Sequence, residues 1–211
     1  KALDSHYPDD GIVGEEEGLR KPPKRGERRW VIDPIDGTAS FSAGLPVWGI
    51  AIALVEGNRP VAGFFNMPLA QDLIYTTPDG RLFRNDRERS LREPEPFYRE
   101  TSLFIASRLH RYYRVAPAYP GKLRNLGSTM AHLAYVATGS ADCALVERVY
   151  IWDIAAGMAM LHAKGGVLRY VDGTPVDLGA LIGGKSAHLP MLGGHPEMVA
   201  AFSEIIQFQP D

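Results

Sequence analysis

Residues 30–38 read WVIDPIDGT, so Asp33 and Asp36 stand three apart around Pro34 and Ile35 and are followed at once by Gly37 and Thr38. The apolar run RRWVID leads into them as a strand, from whose end Asp33 projects. Pro34 fixes the backbone and bends the chain so that Asp36 returns toward the same point. Two carboxylates on one centre repel strongly or force one of them to protonate, so a divalent cation is their natural partner. Ligation by oxygen alone selects a hard ion such as Mg²⁺ over zinc. A helical turn starting at Gly37-Thr38 would set free backbone N–H groups and the Thr38 hydroxyl beside the metal as an anion site. Metal plus anion site implies phosphate chemistry. The competing reading is a plain turn, since Asp, Pro and Gly are all turn formers.

Two further acidic stretches bear on that choice. GIVGEEEGL places Glu15, Glu16 and Glu17 behind a short apolar run, where solvated surface charge is the ordinary explanation. YIWDIAAGMAML places Asp153 at a strand-to-helix junction, where an N-cap is its ordinary role.

The elements that must position these groups fall into two halves. RRWVID, WGIAIALVEG, RPVAGFFNMP and DLIYTTPDGRLFRN read as strands joined by the hairpin connections EGNRP and PDG, an antiparallel meander. LRKPPKRGERR, Pro-rich and basic, reads as a solvated loop ahead of it. The charged stretch NDRERSLREPEPFYRE at 85–100 marks the boundary, giving a half at 1–98 that carries the metal and phosphate groups and a half at 99–211 that completes the site. In the second half SLFIAS, ADCALVE and VLRYVDG read as strands. GSTMAHLAYVATG, WDIAAGMAMLHAKGG and PEMVAAFSEIIQF read as helices, the last with Pro196 in its first turn. This alternation is an α/β pattern, layered with the meander into one α/β unit.

Composition excludes several classes. The chain has 211 residues, 45% of them hydrophobic, with 23 Lys+Arg against 25 Asp+Glu and a net charge of -2, so no basic surface for a nucleic-acid polymer is expected. The longest nearly apolar run, VWGIAIALV, is far short of the roughly 20 residues of a membrane span. The lone Cys143 sits in an apolar stretch and forms no internal disulfide, which points to a buried thiol and a cytoplasmic protein. His132 and His162 fall within helices, and His188 and His195 have no zinc-like spacing. Trp30, Trp48 and Trp152 flank the motif segments and read as packing residues.

Taken together, GEE at 14–16 (with its glycine), WVIDPIDGT at 30–38 and WDIAAG at 152–157 resemble, in order and spacing, the motifs of the inositol monophosphatase family of Mg²⁺-dependent, lithium-sensitive phosphomonoesterases. GLP at 44–46, GSTMAHLAYVATGSAD at 127–142 and the glycines at 165 and 166 extend the resemblance over essentially the whole chain. It implies a layered α-β-α-β-α sugar-phosphatase sandwich, often a homodimer, acting on a small phosphorylated metabolite. Family chains usually carry two helices ahead of the Gly-Glu-Glu loop, a pair this sequence is expected to lack.

By the same resemblance Glu15 matches a ligand of the first metal, Asp33 the carboxylate bridging two ions, and Ile35 a carbonyl ligand. Asp36 and Asp153 match ligands of the second ion. Gly37 and Thr38 match the phosphate-binding turn, and Thr38 with Glu15 the pair that orients and deprotonates the attacking water. Two or three Mg²⁺ ions are implied, with Mn²⁺ able to substitute. Ser128, Thr129 and Glu147 are substrate-contact candidates.

The chain departs from the family pattern at Ser40, where Asn is frequent, and at Val146, where inositol-selective members carry Glu. Glu147 stands one place later. Substrates of the histidinol-phosphate, fructose-1,6-bisphosphate and 3',5'-nucleotide bisphosphate branches therefore stay open beside inositol monophosphate, as does a non-catalytic regulatory relative. An aspartyl-phosphate mechanism of the haloacid-dehalogenase type needs a nucleophile two residues before the second aspartate, a place held here by Pro34. A Ser-His-Asp hydrolase would show a Gly-x-Ser-x-Gly elbow, which the sequence lacks.

Overall fold

The structure, a computed structural model, describes residues 2–16, 18–23 and 27–208. Glu17, named above, lies outside them.

Among the described residues eight strands form the first sheet: β1 (Gly11–Gly14), β2 (Gly18–Lys21), β3 (Arg28–Asp36), β4 (Gly49–Glu56), β5 (Arg59–Met67), β6 (Asp72–Thr76), β7 (Leu82–Arg84) and β8 (Arg87–Glu88). Their order is β2-β1-β3-β4-β5-β6-β7-β8, antiparallel from β3 to β8, with β1 parallel to β3. The expected meander is therefore present, with an addition. β1 and β2 form a hairpin at its edge, so the basic stretch expected to be a loop begins as a strand. Each of these two strands has four residues, too few for a clear alternation in the sequence.

A second sheet has the order β11-β9-β12-β14-β13, built from β9 (Ser102–Ile105), β11 (Lys122–Arg124), β12 (Cys143–Val146), β13 (Val167–Tyr170) and β14 (Met191–Gly194). β10 (Tyr113–Val115) and β15 (Ile206–Phe208) form a small separate ribbon. The helices are α1 (Ala2–His6), α2 (Thr38–Ser42), α3 (Thr129–Ala137), α4 (Ile151–His162), α5 (Leu178–Leu181) and α6 (Pro196–Ile205), with one 3₁₀ turn at Leu109–Arg111. The closing helix thus stops at Ile205 and not at Phe208. Residues 206–208 instead satisfy their backbone by pairing with β10.

α3 and α4 lie between the two sheets, and α6 covers the far face of the second. This gives the layers sheet, helices, sheet, helix. α4 is buried on almost every side, as a helix sandwiched between sheets must be. Its residues are small where it meets the first sheet, and Gly63 of β5 has no room for a side chain, since a Cβ there would lie 2.4 Å from the Ala156 carbonyl oxygen. β4 turns Gly49, Ala51, Ala53 and Val55 toward the same helices with a strand's period of two. Leu103, Leu145 and Leu192 face Met198, Val199 and Phe202 of α6 in a second core. Cys143 belongs to that core, its thiol pushed far above its ordinary pKa by burial. No helix among the described residues is long and apolar enough to cross a membrane.

One polar clamp ties the meander to α3. The buried Asp72 accepts from Arg84 Nε and, at 2.6 Å, from Arg84 Nη2, and at 2.9 Å from the Tyr135 hydroxyl. The guanidinium also lies 4.6 Å from the centre of the Tyr135 ring. Replacing Asp72 leaves a half-buried cation and a phenol without their shared acceptor. Asp72→Ala is expected to lower unfolding stability by about 3 kcal/mol in urea titrations, whereas Arg81→Ala, at an exposed ion pair, should change it by less than about 1 kcal/mol.

Candidate metal and phosphate site

β3 does not end at Asp33. It runs to Asp36, with its register against β4 broken between them: Asp33 pairs with Ala51 and Asp36 with Gly49, three steps on one strand against two on the other. In an unbroken strand residues three apart point to opposite faces. The extra residue brings Asp33 and Asp36 to the same side. Asp33 Oδ1 accepts from the Ile35 N–H at 2.9 Å, which fixes the bulge. Gly37 follows at φ 86°, a conformation that favours glycine, and a Cβ there would crowd the Gly127 carbonyl at 3.1 Å and Ser128 Cβ at 3.2 Å. The expected helical turn then begins as α2, with Thr38 Oγ1 donating to the Ile35 carbonyl at 3.0 Å.

Asp36 points into the second half. Its carboxylate accepts from the Ser128 hydroxyl and, at 3.2 Å, from the Met130 N–H, with a further bond from the Thr129 N–H. Ser128 is also the N-cap of α3, accepting from the Ala131 N–H at 2.9 Å. Ser40 holds the same loop through a 3.1 Å bond to the Gly127 carbonyl. Asp153 sits two places past the start of α4, not at its N-cap, and accepts from the Tyr150 N–H at 2.6 Å, so the carboxylate is fixed from behind.

These three aspartates meet. Carboxylate oxygens of Asp33, Asp36 and Asp153 lie within 4.8 Å of one another. Burial raises the pKa of Asp33 to about 8, assisted by the charges of Asp36, Asp153 and Glu15. Burial likewise raises Asp36 to about 6, against the lowering effect of its Ser128, Met130 and Thr129 donors, and Asp153 to about 7, against its Tyr150 donor. Two buried acids and one half-buried acid, shifted from their ordinary ionisation and offering only oxygen ligands, fit a hard divalent ion. Glu15 and Glu16 are exposed, and Glu15 stands outside the group of three while still adding its negative charge to each member.

A polar cleft of about 230 Å³ opens beside the cluster. Asp36, Gly37 and Asp153 line it, together with Ser128, Thr129, Val146 and Glu147. The Ser128 hydroxyl is engaged with Asp36, so its immediate role is to place that carboxylate. Sequence reasoning missed Ser107, Asn125, His132 and Arg148, all on the cleft wall. His132 Nε2 accepts from the Leu126 N–H at 2.9 Å and its ring stacks on Phe104, while burial lowers its pKa to about 4 and keeps it neutral. Elsewhere, His195 caps α6 and His188 packs on Tyr170. Of the tryptophans, Trp48 packs on Phe41, Trp152 stacks on Tyr150, and Trp30 donates to Asp10 at 2.9 Å.

A layered α/β fold with a buried carboxylate cluster at the junction of its halves defines a class, and comparison with known proteins places the chain in it. The sequence profile of the Inositol monophosphatase family matches residues 1–206. The chain belongs to that family. It is 34% identical over 177 residues to the Nus factor SuhB of Xylella fastidiosa, covering 79% of this chain and 62% of that protein. It is 33% identical over 177 residues to the fructose-1,6-bisphosphatase/inositol-1-monophosphatase of Thermotoga maritima, covering 79% of this chain and 64% of that protein. The inositol monophosphatase from Anabaena superposes with a TM-score of 0.79 at 23% identity, over 96% of this chain and 80% of that one, and shares the fold. The chain thus matches a little under two thirds of the length of these two curated relatives.

Two outcomes are expected of this site. Ser128→Ala removes the donor that orients Asp36 and should weaken Mg²⁺ binding, read by calorimetry, by about 10- to 100-fold. The aspartates' raised values mean that, without metal, the folded state holds protons the unfolded chain has already lost. The stability this gives is complete below about pH 4 and lost as pH rises toward 8. His132 acts in the opposite sense only below about pH 6.5. Chelated protein should therefore melt at falling temperature from pH 6.5 to 8, and either Mg²⁺ or Asp33→Asn should flatten that slope.

Proposed function

We propose that this protein is a divalent-metal-dependent phosphomonoesterase acting on a small phosphorylated metabolite. The observation that carries the reading is the convergence of Asp33, Asp36 and Asp153, from both halves of the chain, at the end of a polar cleft and next to the Gly37-Thr38 turn. Asp33, Asp36 and Asp153, with Glu15 and the Ile35 carbonyl, would hold Mg²⁺, or Mn²⁺ in its place, as the family resemblance implies for two or three ions. Bound Mg²⁺ supplies Lewis acidity and counter-charge at the phosphate.

The chain's own groups supply the rest. The Gly37 and Thr38 backbone N–H groups bind and orient the phosphate. Thr38 Oγ1, which donates to the Ile35 carbonyl here, is placed to order the attacking water, and Glu15 takes the proton. Asp36 is already held by three donors at the start of α3, which suits a rigid ligand better than a proton acceptor. No side chain is positioned as a phosphate-accepting nucleophile in this scheme, so hydrolysis is direct and in line.

The resemblance adds a homodimer and a cytoplasmic location to the proposal, and inhibition by Li⁺. Inositol monophosphate, fructose-1,6-bisphosphate, histidinol phosphate and 3',5'-adenosine bisphosphate form the substrate panel that tests it. Magnesium-dependent phosphate release is expected on at least one of them. Asp33→Asn, which keeps the size of the side chain, should lower kcat by at least about 10³-fold while the circular dichroism spectrum is retained. Metal binding without turnover on any member of the panel would instead favour a regulatory relative.

A further inference from the structure

Arg148 is the one formal cation among the described residues lining the cleft, against Asp36, Glu147 and Asp153. Its side chain is exposed, and three observations fix its place at the cleft. Its backbone is left-handed, at φ 53°, an arrangement that turns the chain sharply between Glu147 and Val149. Its guanidinium is held, with Nη2 donating to the Tyr112 hydroxyl at 2.8 Å and its carbon 5.0 Å from the centre of the Tyr112 ring. It also lines a second cleft of about 170 Å³, formed with Tyr112, Tyr113, His188 and Phe208. Glu147 and Arg148 are the residues the two clefts share.

The floor of this junction is fixed as well. Val149, next to Arg148, accepts through its carbonyl from the Ala187 N–H at 2.8 Å, tying the strand exit to the segment that walls the second cleft. A guanidinium has five donors in a planar fork, of which the bond to Tyr112 uses one. The first cleft is also lined by the neutral groups Ser107 and Asn125, themselves bonded at 2.9 Å. An arginine pinned in this way, between a metal-binding end and a small aromatic-lined extension, has the chemistry to read a second anion on the same ligand.

We infer that Arg148 is a specificity-determining residue: it binds a second anionic group, a phosphate or carboxylate, on a substrate whose reacting phosphate lies at the aspartate cluster. The inference rests on the functional reading above and narrows it to dianion-bearing substrates over neutral polyol monophosphates. Tyr112 is the positioning residue that holds the guanidinium. The alternative role for Arg148 is to neutralise Glu147, which would affect all ligands alike.

The test compares fructose-1,6-bisphosphate with inositol-1-phosphate in the intact protein with Mg²⁺. Arg148→Ala should lower kcat/KM for the bisphosphate by about 30-fold or more, mainly through KM, and change that for the monophosphate by less than about 3-fold. Arg148→Lys should recover only part of the loss, and Tyr112→Phe should reduce the preference by less than Arg148→Ala does. An equal loss for both substrates, or no loss for either, overturns the inference. Binding of fructose-1,6-bisphosphate with Ca²⁺ in place of Mg²⁺, read by calorimetry, separates this inference from the catalytic one. Wild-type binding that weakens by about 10-fold or more in Arg148→Ala, with no Mg²⁺-dependent turnover by the wild type on any member of the substrate panel, would retain Arg148's role and remove the phosphatase reading. Absence of wild-type binding would overturn Arg148's role whatever the turnover.

Discussion

The buried carboxylate of Asp36 is the constraint on which the site depends. It leaves the first sheet at the end of β3 and receives the hydroxyl of Ser128 and backbone N–H groups at the start of α3. One anion thus ends a strand in one half and caps a helix in the other. An unpaired buried carboxylate would cost several kcal/mol, and three donors offset that cost only while the halves are in register. The interaction therefore works as a gauge of alignment. If α3 shifts relative to β3 the donors are lost together, and with them the distance from Asp36 to Asp153, carried on α4.

The rest of the molecule can be read as support for that gauge. The small inner face of β4 and the missing side chain at Gly63 let α4 approach the sheet closely enough for Asp153 to reach the strand end. Asp72, Arg84 and Tyr135 clamp α3 to the far side of the meander. Ser40 and His132 hold the loop at 125–128 by bonds to opposite parts of it, the Gly127 carbonyl and the Leu126 N–H. His132 can do this as an acceptor only because burial keeps it neutral.

Much of this was legible in the sequence because it rests on local signals. Asp-Pro-Ile-Asp-Gly-Thr announced paired carboxylates and a turn, and the long apolar periods of α3 and α4 announced buried helices. The bulge was not legible. The sequence suggested that proline bends the chain after Asp33, whereas the strand continues and a register slip does the bending. The extent of α6 was misjudged because Ile205-Ile206-Gln207-Phe208 suits a helix or a strand equally, and only the presence of β10 decides between them. Ser128 was visible as a candidate, but its partner Asp36 is 92 residues away, so its role as a support for that carboxylate was not. Arg148 carried no signal at all, since its place depends on residues near 107, 125 and 188 that meet only in the folded chain.

The same arrangement sets stability against function. Without a cation Asp33 and Asp153 resist ionisation because burial disfavours their charged forms and like charges face one another, so the folded state works against full ionisation of its own ligands. Replacing one aspartate with a neutral side chain would relieve the repulsion but remove a ligand. A divalent ion is the one addition that relieves the repulsion and keeps every carboxylate, which ties its binding free energy to the folded state. A protein selected only for stability would have filled this junction with apolar residues, as it did on either side with Ala51, Phe65 and Leu133. That three acids stand there, Asp36 held by donors at the start of α3, Asp33 by its own bulge and Asp153 by the N-cap of its own helix, is the physical argument that the junction suits a cation.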